Sequence, residues 1–144
     1  MNKWLTLVYK IPREPTAGRV YAWRKLKQLG AIALQDAVWI LPATPRTREQ
    51  FQWLAAEIVE LGGEATLFTS ELVFANEAES LAAKFEEPVR AAYREILQAL
   101  KRKDRDLQAL SKRFQQLQAQ DYFRCELGVQ VRAKLLAARG DDAK

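Results

Sequence analysis

Histidine is absent from this chain, and cysteine and methionine occur once each. Without histidine, the commonest general base and the commonest zinc ligand are both missing. The lone Cys125 excludes an internal disulfide framework and any cysteine-cluster metal site. Long apolar runs are missing too. The longest nearly uncharged stretch, Gly30 to Thr47, contains Asp36 and two prolines, so it is too short and too broken to span a bilayer. Met1 to Tyr9 lacks the layout of a signal peptide. Cytoplasm is therefore the expected compartment, with no membrane partner. No P-loop, GxGxxG, GxSxG or HExxH pattern occurs.

What is present is ordinary globular composition with an unusual layout of charge. The 144 residues are 49% hydrophobic and 28% charged, enough to bury a working core. The net charge of +5 is segregated along the chain. Residues 1–30 carry seven Lys or Arg against Glu14 alone, residues 31–89 carry three basic and ten acidic groups, and residues 90–113 carry eight basic and three acidic. Segregation on this scale points to an anionic partner for the basic surfaces or to acidic-to-basic contact within or between molecules.

The order of elements reads as β-α-β-β-α-β. Trp4 to Ile11 is a strand rich in leucine, aromatic and β-branched residues and stops at Pro12. Thr16 is placed as the N-cap of a helix from Ala17 to Leu29, with Val20, Trp23 and Leu26 on its apolar stripe and Gly30 at its C′ position. Ala31–Leu34 and Ala37–Leu41 flank Gln35-Asp36, the spacing of a two-residue hairpin. A second helix starts at Thr44-Pro45 or Thr47, carries Phe51, Leu54, Ile58 and Leu61 at helical spacing, and stops at Gly62-Gly63. Glu64 to Thr69 is the fourth strand. The fold class is thus α+β: a ferredoxin-like βαββαβ unit over residues 1–72, with an antiparallel sheet and two helices on one face. A C-terminal helical extension follows over 73–144, with a long helix from about 87 to 120 and a short one from about 128 to 139, the whole forming one cooperative domain. Pro88 fits the first turn of that long helix, and Gly140 to Lys144 are expected to form a frayed end. Both alternating residue sets of the strands are apolar, so the second sheet face needs cover, from the helical tail or from a second subunit in a homodimer.

Catalysis finds no support. Acidic residues such as Glu57, Glu60, Glu86 and Glu87 lie along helix faces as solvated charges, with none beside a plausible base or nucleophile. In ferredoxin-like nucleases of the CRISPR-adaptation type an acidic residue ends the first strand and holds a metal; here Lys10 occupies that region. The expectation is no enzyme, no catalytic residue, no metal site and no cofactor, with a metal-dependent nuclease kept only by analogy of fold. Cys125 beside Arg124 is a possible sensing thiol, though a lone cysteine is more often a small buried residue. The basic cluster is the better candidate. Lys10, Arg13, Arg19 and Arg24, with Lys25 and Lys27, lie on the first strand's end, the following loop and the first helix. The helix terminus near Thr16 could present its amides to an anion, with Gly18 allowing close approach. Arg46 and Arg48 offer a similar arrangement at the second helix. The alternative is a solvated basic face. Tyr9, Tyr21, Trp23, Trp39 and Trp53 interleave with this charge, and core is the expected role for most of them.

Several of these runs are familiar. Trp4-Leu5-Thr6-Leu7, then Val20-Tyr21-Ala22-Trp23-Arg24-Lys25-Leu26, then Leu29 to Pro42 with its Gln35-Asp36-Ala37-Val38-Trp39-Ile40 centre, then Phe51 to Ile58 and Gly62-Gly63-Glu64-Ala65, resemble the N-terminal domain of ChrB-type chromate-resistance proteins. The Asp121-Tyr122-Phe123 segment resembles one near that domain's end, so the likeness runs along nearly the whole chain. A weaker likeness is to the ferredoxin-like portion of PaaX-type repressors. The resemblance implies a regulator or accessory of chromate efflux that binds DNA and responds to an oxyanion such as chromate. Family proteins commonly carry a second, C-terminal domain. The site residues expected for nucleic-acid or oxyanion contact are Lys10, Arg13, Arg19, Arg24, Arg46 and Arg48, and they rest on charge, not on the resemblance. A protein-interaction or oxyanion-responsive module without DNA binding is the alternative.

Overall fold

The computed structural model describes residues 2–142. The elements are β1 (Trp4–Lys10), α1 (Thr16–Gln28), β2 (Ile32–Gln35), β3 (Val38–Pro42), α2 (Pro45–Glu60), β4 (Glu64–Ser70), α3 (Ala75–Ala99), α4 (Leu107–Gln120) and α5 (Glu126–Asp142). The strands form one sheet in the order β2-β3-β1-β4, and every pairing in it is antiparallel. This is the split βαβ arrangement expected for the first half of the chain. The described residues fall into two compact units, divided after Ala78.

Register explains the core of the first unit. Leu5 faces Leu41 and Thr69, and Leu7 faces Trp39 and Leu67, so these side chains share one sheet face. α2 packs across that face against β1 and β4, burying Phe51, Leu54 and Ile58. Thr44 caps α2, its hydroxyl accepting from the Thr47 amide, while the Thr47 hydroxyl accepts from the Thr44 amide in return. Thr47 also donates to the Pro42 carbonyl at 2.6 Å and is fully buried. On the second sheet face Trp4 and Ile40 are buried, whereas Val8 and Phe68 are exposed.

Four local expectations are corrected in this unit. Pro15, not Thr16, is the N-cap of α1, and no side chain caps the helix. The buried stripe of α1 is Gly18, Ala22 and Leu26, while Val20 and Trp23 are exposed. The helix packs through small residues: a Cβ at Gly18 would already touch Ile11 at 3.5 Å and Leu61 at 3.8 Å. Its larger side chains are therefore turned outward. Trp53, on α2, is 66% exposed and is likewise not core. The β2–β3 turn is Asp36-Ala37, one position later than expected, with Ala37 at φ +61° and a register irregularity between Ala33 and Gln35. The Tyr9 amide donates to the Ala37 carbonyl at 3.1 Å and ties that turn to β1.

The second unit is helical, but not as one long helix followed by a short one. α3 starts at Ala75, so Pro88 lies in its interior. Proline cannot donate to the carbonyl four residues back, a loss of roughly 3 kcal/mol in an isolated helix. Here the buried row Leu81, Phe85, Val89, Ala92, Tyr93, Ile96 and Leu100 holds the helix on either side of it. The helix then breaks after Ala99 within the expected 87–120 span. Arg105 donates to the Leu100 carbonyl at 3.0 Å, and Asp106 caps α4 by accepting from the Ala109 amide at 3.1 Å. Both contacts favour two helix ends over continuation. Gly128 lies inside α5, packed on the Tyr93 ring, and α5 continues through Gly140. The expected fraying of residues 143–144 lies outside the described residues. Val131 and Leu135 of α5 join Tyr93, Ile96, Phe114 and Leu117 in this unit's core.

Asp121 organises the turn between α4 and α5. Its carboxylate accepts from the Tyr93 hydroxyl at 3.0 Å and from the Cys125 amide at 2.9 Å. Burial, and then the Asp121 carboxylate beside it, push the Tyr93 hydroxyl well above its usual pKa, so it stays a proton donor. Tyr122 and Phe123 pack edge-on and tilted against Phe85. Cys125 is half-buried against the same core. Among the described residues no helix is long and apolar enough to cross a membrane.

Candidate functional site

A helix that buries Gly18, Ala22 and Leu26 must turn the opposite side outward. On α1 that side carries Thr16, Arg19, Val20, Trp23, Arg24 and Lys27, spaced by three, four and seven residues. This face does not look into open solvent alone. The β2–β3 hairpin lies across from it, and between the two runs an open groove of about 1000 Å³. Lys10 and Ile11 close one end at the finish of β1, Gln35, Asp36 and Ala37 contribute the hairpin turn, and Tyr9, Ala33 and Trp39 come from the sheet.

The groove combines cations with aromatic rings. Lys10, Arg19, Arg24 and Lys27 line it, against the single acidic side chain of Asp36. The Lys27 ammonium lies 5.7 Å from the centroid of Trp23 and 6.0 Å from that of Trp39, within cation–π range of both. Trp39 is buried, whereas Trp23 keeps 52% of its surface exposed. On the far side of α1, the Tyr21 hydroxyl donates to the Glu57 carboxylate of α2, which helps hold the helix in this rotation.

The six residues expected from charge do not form one site. Lys10, Arg19 and Arg24 line the groove. Arg13 is exposed in the loop between β1 and α1 and does not line it. Arg46 and Arg48 open α2, which follows the end of β3 that pairs with Trp4, while Lys10 pairs with Glu64 at the other end of β1. The six residue steps from Trp4 to Lys10 put these ends roughly 20 Å apart. Arg48 lies instead along β4, donating to the Thr69 hydroxyl at 3.5 Å. Gly18, expected to admit an oxyanion to the helix terminus, is buried under Ile11 and Leu61.

Lys27 belongs to the basic cluster but not to the six expected site residues, and Tyr9, Trp23 and Trp39 were expected mostly as core. For Trp23 and Lys27 the signal lies in the spacing: they are four residues apart on the row that also holds Thr16 and Val20. Among the described residues no group of three His, Cys, Asp or Glu side chains is arranged to hold a metal ion.

Comparison with known proteins falls on the same segment. The family described as "Protein ChrB, N-terminal" matches residues 19–108, which take in the groove face of α1 and the hairpin but leave out β1 and the Asp121-Tyr122-Phe123 segment. The match is therefore shorter than the near-complete likeness read from the sequence. "Protein ChrB" of Cupriavidus metallidurans (strain ATCC 43123 / DSM 2839 / NBRC 102507 / CH34) is 35% identical over 66 residues, covering 46% of this chain and 20% of that protein. The chain thus spans about a fifth of the length of that curated relative.

Proposed function

Because the chain belongs to the ChrB N-terminal family, we propose that it is a non-catalytic regulatory or accessory protein of chromate resistance that contacts nucleic acid through the α1–hairpin groove. The observation that carries this reading is the convergence of Lys10, Arg19, Arg24 and Lys27 on one groove beside exposed Trp23. Cations at that density lower the cost of bringing phosphates together and attract a polyanion from a distance. Arg13, on the loop leading into α1, extends the positive field at the Lys10 end. Arg46 and Arg48 form a separate patch.

The groove's size favours a polyanion over a single tetrahedral oxyanion, since about 1000 Å³ lies at the upper end of small-molecule sites. Chromate acts in this reading as a signal for the regulated system and is not the groove's occupant. The protein works in the cytoplasm, as a homodimer to which the exposed Val8 and Phe68 of the second sheet face offer apolar area. Fluorescence anisotropy with labelled DNA across a salt series tests the proposal. Binding at low salt that weakens steeply as salt rises supports it. Absence of binding at low salt, together with calorimetric binding of chromate over sulfate, overturns it in favour of the oxyanion module.

A further inference from the structure

We infer that the groove is built for an unpaired strand, with a base stacked on Trp23 and the neighbouring phosphates held by Arg19, Arg24 and Lys27. The inference rests on the nucleic-acid reading above and adds which form of nucleic acid is preferred. Shape is the first argument. Base edges in a duplex are reached by an element that protrudes into a groove about 12 Å wide. The basic face of α1 does the reverse: it is turned toward the hairpin and forms one wall of a hollow. A flexible single strand can enter such a hollow, whereas a duplex can only rest its phosphates on the rim.

The second argument is the exposed indole. Trp23 keeps 52% of its surface exposed on a helix whose buried stripe is made of Gly18, Ala22 and Leu26. Water-exposed tryptophan contributes little to folding there, and it lines the groove together with Arg19, Arg24 and Lys27. Lys27 stands by it at 5.7 Å, near enough to neutralise a phosphate adjoining a stacked base. Sequence-tolerant single-strand binding uses this combination of a cationic groove and aromatic faces. Trp53 makes the comparison sharp. It is more exposed, at 66%, but lies on α2 and lines no part of the groove.

The test uses the full chain and three labelled probes of one sequence: a 12-nucleotide DNA strand, its RNA counterpart, and the DNA duplex, at one salt concentration. The single strands are expected to bind roughly tenfold tighter than the duplex. Trp23→Ala is expected to weaken single-strand binding about tenfold, within the range of losing one stacked base, while Trp23→Phe retains most of it and Trp53→Ala changes nothing. DNA and RNA strands binding alike assigns the preference to stacking and phosphate contact. RNA alone binding tightly still supports an unpaired strand and adds a contact to the 2′-hydroxyl. Duplex binding as tight as single-strand binding, with Trp23→Ala without effect, overturns this inference and leaves the proposed function standing. Failure of all three probes overturns both.

Discussion

A methyl group placed on Gly63 would sit 2.3 Å from the Lys10 carbonyl oxygen, 3.0 Å from Ile58 Cγ2 and 3.1 Å from the Ile58 carbonyl. An ordinary carbon-to-oxygen approach is about 3.3 Å or more, so roughly 1 Å of movement is needed. The obstacle is backbone on β1 and on α2, and neither can rotate away as a flexible side chain would. Gly63→Ala is therefore expected to lower the stability of the first unit by about 3 kcal/mol, the upper end of overpacking costs. Two glycines serve as controls. Gly62, at φ +87°, should lose about 1–2 kcal/mol on substitution by alanine through backbone strain alone. Gly140, in α5 with nothing near it, should be neutral or gain up to about 1 kcal/mol. All four tryptophans lie in the first unit, so their fluorescence in a urea series reports that unit. With a slope of about 1–3 kcal/mol per molar urea, the Gly63→Ala midpoint should fall by roughly 1 M or more. A Gly63→Ala midpoint equal to wild type, alongside a lowered Gly62→Ala midpoint, would refute the close approach of Gly63 to the end of β1. It would also remove the reason Lys10 stands where it does.

Two further predictions concern the turns. The Tyr93 hydroxyl has a pKa raised above its usual value near 10 by burial and by Asp121, so the folded state holds its proton longer than the unfolded chain. Its contribution to stability is intact below about pH 10 and falls as pH rises beyond it. Tyr93→Phe should flatten that alkaline loss in helix content measured by circular dichroism, at a cost of about 1 kcal/mol near neutral pH for the lost hydrogen bond to Asp121. An unchanged alkaline profile in Tyr93→Phe would argue against the hydrogen bond from buried Tyr93 to Asp121. Ala37 occupies the left-handed region, so Ala37→Gly should raise the tryptophan-monitored midpoint or leave it unmoved, whereas Ala37→Val should cost about 1–2 kcal/mol. Equal midpoints for glycine and valine would contradict the turn geometry.

The order and type of the first six elements were legible because each carried a local signal that tertiary packing did not contradict. Strand β1 ended before Pro12, Thr44 and Pro45 opened α2, and Gly62-Gly63 closed it. The face of α1 was not legible. Large apolar side chains at helical spacing suggest a core stripe, yet the helix approaches its neighbours through Gly18 and Ala22, and that close packing rotates Trp23 outward. The same rotation brings Arg19, Arg24 and Lys27 to one side, a convergence that counting charge along the chain does not reveal. Arg46 and Arg48 were grouped with them by charge and separated by topology, because β3 carries the chain to the opposite end of the sheet. In the second unit, Pro88 suggested a helix start, but a buried face extending on both sides overrode it. The break at 100–106 depended on Arg105 and Asp106 meeting backbone groups, a contact without a distinctive spacing.

The central claim is that nucleic acid is held in the α1–hairpin groove and not by net positive charge at large. The direct measurement is the salt dependence of oligonucleotide binding for wild type, for an Arg19→Gln, Arg24→Gln, Lys27→Gln triple variant, and for an Arg46→Gln, Arg48→Gln double variant. Each phosphate contact contributes about 0.7 to the slope of log affinity against log salt for a single strand and about 0.9 for a duplex. The triple variant should therefore lose roughly 2 to 3 units of slope and bind far more weakly at low salt. The double variant should keep the wild-type slope. Equal losses in both variants, or a triple variant that binds as wild type does, would contradict the account.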